Sequence, residues 1–336
     1  MKHCFVFLSV WLVTAGMLRA QLGGESTYGF LNLTPLPQAA ALGGNLIAVS
    51  GDGPAASFYN PALLDSSSDN YFSLNYVHYF AGIRFGYAAY ARSYGYSHFA
   101  AGIHYVNYGR FTEADMTGLI TGSFTAAEYA FNLTYSRCLP WLDSTLTVGV
   151  NLKPLLSVFE RYSSSGLLAD VGFTYRHPGR LFVAALVVRN MGAQLTTYAE
   201  SGREKVPFEI QMGLSHRLQH APFRFSLVVQ HLESRLGGGI RPEDEKEKTG
   251  ASLYADEAMR HLIFGVECFP FKGLILRGGY NYHRRQEMKV LSHTGAVGLS
   301  WGIGIRVSRF HIDYARSRWH LAGASNHFAV NVDLSR

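Results

Sequence analysis

The sequence predicts an all-β transmembrane barrel, an antiparallel up-and-down barrel of about fourteen strands. Three observations lead there. Apolar and polar residues alternate in short stretches from about residue 72 to the end of the chain. Long and short connections alternate between those stretches, and a segment resembling an export signal precedes them. Lipid-spanning barrels combine such alternating strands with connections of unequal length.

The alternation is clear in the last stretch. Phe328, Val330 and Val332 fall on one face, whereas Asn331 and Asp333 fall on the other. Successive side chains of a strand point to opposite faces, so this pattern places an apolar surface outside and a polar one inside. An amphipathic helix needs apolar residues every three or four positions, which these stretches lack.

Fourteen strands are predicted, an even number as in other single-chain bacterial barrels. Their predicted bounds are 72–79, 83–90, 97–108, 126–137, 145–153, 168–177, 182–190, 207–217, 222–232, 260–269, 273–283, 294–305, 309–316 and 326–334.

The connections predict the orientation, because outer-membrane barrels have short periplasmic turns and longer outer loops. The outer loops expected from this rule include 109–125, 154–167, 191–206 and 233–259.

Residues 1–20 form a predicted signal peptide, with Lys2 at the basic start, an apolar core and Ala20 at the end. We therefore expect export to the outer membrane. Removing Lys2 and Arg19 lowers the formal charge from +6 to +4. The remaining positive charge is dispersed and does not indicate nucleic-acid binding. Cys138 and Cys268 remain, and the sequence leaves their pairing open.

Residues 21–71 precede the predicted barrel, which comprises residues 72–336. They are rich in small residues, and we expect them to fold into the lumen as a plug containing Gly43, Gly44, Asn60 and Pro61. A polar lumen can satisfy irregular backbone that lipid cannot. The alternative is a periplasmic lead-in without a special role.

Charges of both signs fall on the predicted lumen face, where ion pairs that fill the lumen are favoured over a selectivity filter. These residues are Arg84, Glu128, Lys153, Asp170, Arg176, Glu209, Arg217, Arg224, Glu267, Arg277, Arg309, Asp313 and Asp333.

Catalytic motifs, nucleotide motifs and metal-binding motifs are missing from the sequence, so no enzyme activity, cofactor or metal is expected. His98 and His104 would share the lumen face, but six residues along a strand separate them by about 20 Å, too far for one ion.

The loop 233–259 is longer than a strand connection requires, and we expect a protein-docking role for it. Its charged candidate residues are Arg241, Glu243, Glu245, Lys246 and Lys248. The loop 109–125 is the second docking candidate, through Arg110, Phe111, Leu119 and Ile120.

The order of several segments resembles the PorQ family, barrel components of the type IX secretion system of Bacteroidetes. The segments are Phe30–Leu33, Ala39–Gly44, Asn60–Leu64, Ala81–Ile83, Phe99–Ile103, Tyr108–Phe111, Ala127–Tyr129, Val148–Lys153, Arg189–Gly192 and His220–Arg224. The Gly-Gly pair followed by Asn-Pro-Ala also occurs across FadL-like barrels, so this motif alone is not specific. The resemblance to the PorQ family therefore rests on the order of all these segments together.

The resemblance implies a non-enzymatic member of a surface attachment complex. In that role the barrel holds a PorZ-like protein at the surface, and through it PorU-like and PorV-like components join cargo to anionic lipopolysaccharide. The alternative is a FadL-like channel for small hydrophobic molecules. Fold likeness does not separate the two, since function resides in sites carried by a fold.

Overall fold

The computed structural model describes residues 26–49, 53–139, 146–177, 179, 181–198, 202–234, 251–288, 297–320 and 323–335. The predicted signal peptide lies outside these residues.

Fourteen antiparallel strands form one closed barrel in which each strand pairs with its sequence neighbours and β1 pairs with β14. The predicted fold class is therefore confirmed. The strands are β1 Tyr71–His78, β2 Arg84–Tyr94, β3 Ser97–Ala114, β4 Ile120–Cys138, β5 Leu146–Phe159, β6 Tyr162–Arg176, β7 Phe182–Thr196, β8 Glu209–Arg217, β9 Phe223–Val229, β10 Leu262–Phe271, β11 Leu274–Asn281, β12 Leu299–Val307, β13 Phe310–His320 and β14 Gly323–Asp333.

The barrel wall has the predicted apolar outer face. Phe328 and Val330 of β14 are exposed, while the intervening Ala329 and the following Asn331 are buried inside. On β5, Val150 and Leu152 face outward and Lys153 inward. The period-2 alternation thus defines a lipid-facing band and an inner face rich in polar groups.

The predicted residue bounds of three outer loops are wrong, because the flanking strands extend into them. The loop 109–125 contracts to 115–119, since the ladder continues through Arg110↔Thr125 and Phe111↔Phe124. The loop 154–167 contracts to a turn at 160–161, and β7 continues to Thr196 within 191–206. The extension of β3 and β4 is exposed on both faces and lacks the apolar alternation of the wall, so a search for that alternation ended these two strands too early.

The described residues include three short α-helices. They are α1 Pro37–Ala41, α2 Ala251–Arg260 and α3 Tyr282–Met288. None of the helices in the described residues is long and apolar enough to cross a membrane.

The N-terminal segment, described at 26–49 and 53–70, lies inside the barrel. Its side chains and backbone contact β6 through Tyr28 and Ser164, β8 through Ala48 and Ser215, and β13 through Gln38 and Asp313. These strands lie on different sides of the ring. A single segment can contact all of them only if it lies in the lumen. Inward-facing wall residues and this plug segment form a common apolar core around Phe58, Ile47 and Tyr87.

We predict that Val150→Arg lowers the free energy of unfolding by about 2–4 kcal/mol, because it places a charge in the lipid-facing band. Val150 is 43 % exposed on the outer face of β5. The matched control Val150→Leu keeps the site apolar and leaves stability nearly unchanged. Denaturant unfolding in lipid vesicles measures both. Equal stability of the Arg and Leu variants would mean that this face does not contact lipid.

Candidate functional site

The plug segment is fixed by a turn at Asn60. The Asn60 side-chain oxygen accepts a 2.9 Å hydrogen bond from the backbone N–H of Ala62, and Pro61 starts a single 3-10 turn, Pro61–Leu63. The Asn60 amide nitrogen donates to the Ile47 carbonyl at 2.8 Å and to the Thr174 hydroxyl at 3.0 Å. One buried amide therefore joins two parts of the plug to the barrel wall.

Wall glycines make room for this turn. A Cβ atom at Gly149 would lie 2.4 Å from the carbonyl carbon of Pro61, and one at Gly172 would lie 2.1 Å from the Asn60 side-chain oxygen. Real Cβ atoms do not approach other atoms so closely. The wall is therefore shaped to the plug at this position.

The Gly43–Gly44 pair forms a second contact with the wall. Both residues have positive φ angles, +98° and +112°, which glycine adopts without steric cost. The Gly43 carbonyl accepts a 3.0 Å hydrogen bond from the side chain of Asn281. All four residues predicted for the plug thus lie within the lumen, where the structure brings them against the wall.

A buried ion pair crosses the inner wall beside the Asn60 turn. The Lys153 ammonium lies 2.6 Å from the Asp170 carboxylate, and neither side chain is exposed to solvent. Lys153 also donates to the Asn190 side chain at 3.0 Å, and Asp170 accepts from the Asn190 backbone N–H at 2.8 Å. These extra hydrogen bonds satisfy charges that burial would otherwise destabilise.

A second buried network fixes the plug near the short-turn end of the barrel. Arg277 binds Glu267 at 3.0 Å and Asp313 at 2.5 Å, and Arg224 also binds Glu267. The other Asp313 oxygen accepts a 3.1 Å hydrogen bond from the Gln38 side chain in α1. Lumen charges therefore hold the plug as well as each other.

Two of the charges expected in the lumen lie elsewhere. Arg84 is exposed at the start of β2, because Phe85 and Tyr87 occupy the inward positions of that strand. Arg309 lies in the exposed turn between β12 and β13, with its guanidinium over the Phe310 ring.

One buried lumen cation was absent from the sequence-based set. Arg189 follows the inward-facing apolar residues Val183, Ala185 and Val187 on β7, and these concealed it. Arg189 lies two residues after Val187, so the alternation of inward positions on β7 would have identified it as a lumen residue.

The β3–β4 hairpin carries the second set of docking candidates. Arg110, Phe111 and Ile120 lie on its strands and Leu119 in its turn, and residues 110–121 are exposed on both faces. Leu119 is 67 % and Ile120 69 % exposed. The charged candidates of the loop 233–259 lie outside the described residues; they are Arg241, Glu243, Glu245, Lys246 and Lys248.

An aromatic cleft of about 500 Å³ lies beside the base of this hairpin. Tyr108 and Phe159 form one wall, with ring centroids 5.6 Å apart, and Tyr198 packs on Phe159 at 5.8 Å. Tyr28 of the plug also lines the cleft, as does Glu128, which accepts a hydrogen bond from the Tyr108 hydroxyl. The cleft combines an apolar lining with a small polar base, as ligand pockets do.

In the part of the chain that the structure describes, no group of histidine, cysteine and acidic residues could hold a metal ion. Within the described residues, neither Cys138 nor Cys268 forms a disulfide bond.

We predict that Gly149→Val displaces the plug and increases ion conductance in planar bilayers, because the added side chain meets the Pro61 backbone. The matched control is Gly278→Ala, whose Cβ would lie 3.6 Å from Val266 in ordinary contact. Conductance of the folded Gly149→Val protein equal to that of the control would show that the plug does not close the lumen.

We predict that Lys153→Met lowers the free energy of unfolding by about 3–5 kcal/mol, because it leaves Asp170 buried without its cation. The double variant Lys153→Met/Asp170→Leu should lose less than the sum of the single changes. Arg161→Met is the control, since Arg161 is 74 % exposed beside Glu160 and such pairs contribute about 1 kcal/mol or less. Additive effects in a double-mutant cycle would contradict the pairing.

No protein-family model matches the sequence, and no curated protein matches it. Solved structures do match. The toluene transporter TbuX of Ralstonia pickettii aligns with a TM-score of 0.52 and 14 % identity, over 90 % of this chain and 98 % of that one. The toluene transporter TodX of Pseudomonas putida aligns with a TM-score of 0.51 and 13 % identity, over 89 % and 96 % of the two chains.

At such low identity these likenesses bear on the fold alone. They agree with the strand count, the closure between β1 and β14 and the segment that precedes the barrel. The chain is therefore a closed, fourteen-stranded β-barrel with the fold of the outer-membrane barrels TbuX and TodX.

Proposed function

We propose that this protein is a non-enzymatic outer-membrane scaffold that docks a surface protein through its β3–β4 hairpin. The observation that carries the proposal is the exposed apolar end of that hairpin. Met116 in the turn is fully exposed beside the exposed Leu119 and Ile120. Contiguous exposed apolar groups of this kind mark interaction surfaces.

The β3–β4 hairpin is held in one conformation by its own contacts, as a docking element requires. Phe111 stacks on Phe124 across the two strands with ring centroids 5.1 Å apart. The Asp115 carboxylate accepts hydrogen bonds from the backbone N–H groups of Thr117 and Leu119 at 2.8 and 2.9 Å, which closes the turn. A preformed surface binds with a smaller loss of conformational entropy than a flexible loop.

The filled lumen also supports a scaffold. The plug is hydrogen-bonded to the wall through Asn60, Gly43 and Gln38, and the buried Lys153–Asp170 pair lies beside it. A scaffold needs a stable wall and no continuous path for a solute.

The identity proposed for the partner rests on the resemblance to PorQ. That resemblance suggests a PorZ-like surface protein, with PorU-like and PorV-like components acting on cargo and anionic lipopolysaccharide. A polar docking surface on the loop 233–259 also remains a proposal, because charges at an interface rim affect association. Its candidate residues are Arg241, Glu243, Glu245, Lys246 and Lys248.

The second proposed function is a channel for small hydrophobic molecules, and the comparisons support it more directly. TbuX and TodX, which share the fold, are toluene transporters. The aromatic cleft is the specific feature that favours this function, because it offers an apolar site at the long-loop end of the barrel.

One experiment separates the two functions. We predict that the double variant Leu119→Ser/Ile120→Ser loses a co-purifying surface partner from native membranes while the barrel stays folded. These side chains contact solvent in the isolated barrel, so their loss does not affect its core. The control Tyr198→Ser alters the cleft and should retain the partner.

Deletion of the gene provides the second readout, in which partner retention and cargo attachment are measured beside uptake of toluene and of a fatty acid. Normal partner retention with loss of uptake would reject the scaffold and support the channel. Loss of the partner with normal uptake would support the scaffold.

A further inference from the structure

A cavity of about 770 Å³ lies at the short-turn end of the barrel, beneath the plug. Three buried residues of the plug, Gln38, Leu46 and Val49, line its inner part. The turns that join β10 to β11 and β12 to β13 contribute exposed residues to its rim. Ligand cavities in proteins measure about 300–1,000 Å³, so this one is large enough for an organic ligand.

The charges in the lining of this cavity are strongly unequal. Five basic side chains and one acidic side chain line it; they are Arg217, Arg224, Lys272, Arg277, Arg306 and Glu267. A cleft lined by one sign of charge concentrates ions of the opposite sign, because its low-dielectric walls focus the electric field. The cavity therefore attracts anions.

Two of the five cations are neutralised within the protein. Arg224 and Arg277 both bind the Glu267 carboxylate, and Arg277 also binds Asp313 at 2.5 Å. Two arginines and two carboxylates thus form a network in which the charges balance. This network leaves no carboxylate for the other cations of the cavity.

Arg217 and Lys272 lie outside the balanced network. Among the described residues, no acidic side chain forms an ion pair with either of them. Both residues are exposed, as is Arg306 on the same rim. An anion that enters the cavity from solvent therefore reaches these side chains directly.

The position of Arg217 is unfavourable in the barrel alone. Arg217 lies directly opposite Arg224 in the β8–β9 ladder, and like charges in such positions destabilise a sheet. Both guanidinium groups also lie over the Phe269 ring, 4.6 and 5.5 Å from its centroid. Glu267 compensates Arg224, so a further anion is needed to compensate Arg217.

The two uncompensated cations match a phosphate better than a carboxylate. A phosphate monoester carries a charge of about −1.5 to −2 and three acceptor oxygens. A carboxylate carries a single charge and two oxygens. The guanidinium of Arg217 suits a phosphate because it binds two of its oxygens in parallel, and the ammonium of Lys272 binds it as a point charge.

We propose that this cavity binds an organic phosphate, with the phosphate group at Arg217 and Lys272. The organic part lies against the apolar lining, which includes Leu46 and Val49 of the plug and Leu274 of the wall. Soluble phosphate esters and the headgroups of anionic lipids both present such a phosphate group. The site does not depend on the proposed scaffold or channel function, since neither uses these residues.

The test is calorimetric titration of the detergent-purified barrel with glycerol phosphate and with a short-chain phosphatidic acid, at constant ionic strength maintained with sodium chloride. We expect saturable binding of at least one of them, and at least tenfold weaker binding to the double variant Arg217→Gln/Lys272→Gln. Binding of both ligands supports recognition of the phosphate itself, whereas binding of only one identifies its source as a soluble ester or a lipid. The control is Arg161→Gln, which removes an exposed arginine at the long-loop end and should bind as the unaltered protein does.

The absence of saturable binding of both ligands would overturn the proposal, as would equal affinity in the folded double variant. If the double variant does not fold, the rate of lysine acetylation in the unaltered protein, followed by mass spectrometry, provides the decision. The ligand that binds should slow acetylation of Lys272 but not of Lys205, which is exposed in the connection between β7 and β8 at the long-loop end. An unchanged rate at Lys272 rejects the site.

Discussion

The closure of the sheet between β1 and β14 is the constraint on which the rest of the structure depends. Hydrocarbon offers no hydrogen-bonding partner, so every backbone N–H and C=O group within it must be paired by the protein. The eight paired positions from Tyr71↔Asp333 to His78↔Asn326 remove the last free edges. Closure then divides the side chains of every strand between lipid and lumen, which leaves an enclosed volume to be filled.

The lumen is filled by complementarity between the plug and the wall rather than by wall side chains alone. Gly149 and Gly172 lack side chains where Asn60 and Pro61 approach, whereas Lys153 and Asp170 neutralise each other beside them. Small residues, hydrogen bonds and ion pairs thus act at the same height of the barrel. The aromatic cleft lies where this filling is incomplete.

The sequence was sufficient for the strand number, the two faces and most lumen charges, because lipid imposes a period of two on every strand that it contacts. The sequence was insufficient for residues that do not contact lipid, because no period of two is imposed on them. Residues 110–114 continue β3 without contacting lipid, so their ladder left no apolar pattern. Arg189 was missed because the apolar residues before it on β7 concealed its inward position, and the plug contacts of Gly43 and Asn60 depend on strands more than 100 residues away. Local patterns carry no record of such distant partners.

The position of the plug at the start of the chain has a consequence for assembly. Gln38 binds Asp313, 275 residues later, and the Gly43 carbonyl binds Asn281, 238 residues later. The plug therefore precedes every strand in the chain, but its partners on β11 and β13 surround it only once the ring has closed. Contacts of such sequence separation make folding slow. The last strands of this barrel therefore enclose its first segment, so closure of the ring and filling of the lumen depend on the same distant contacts.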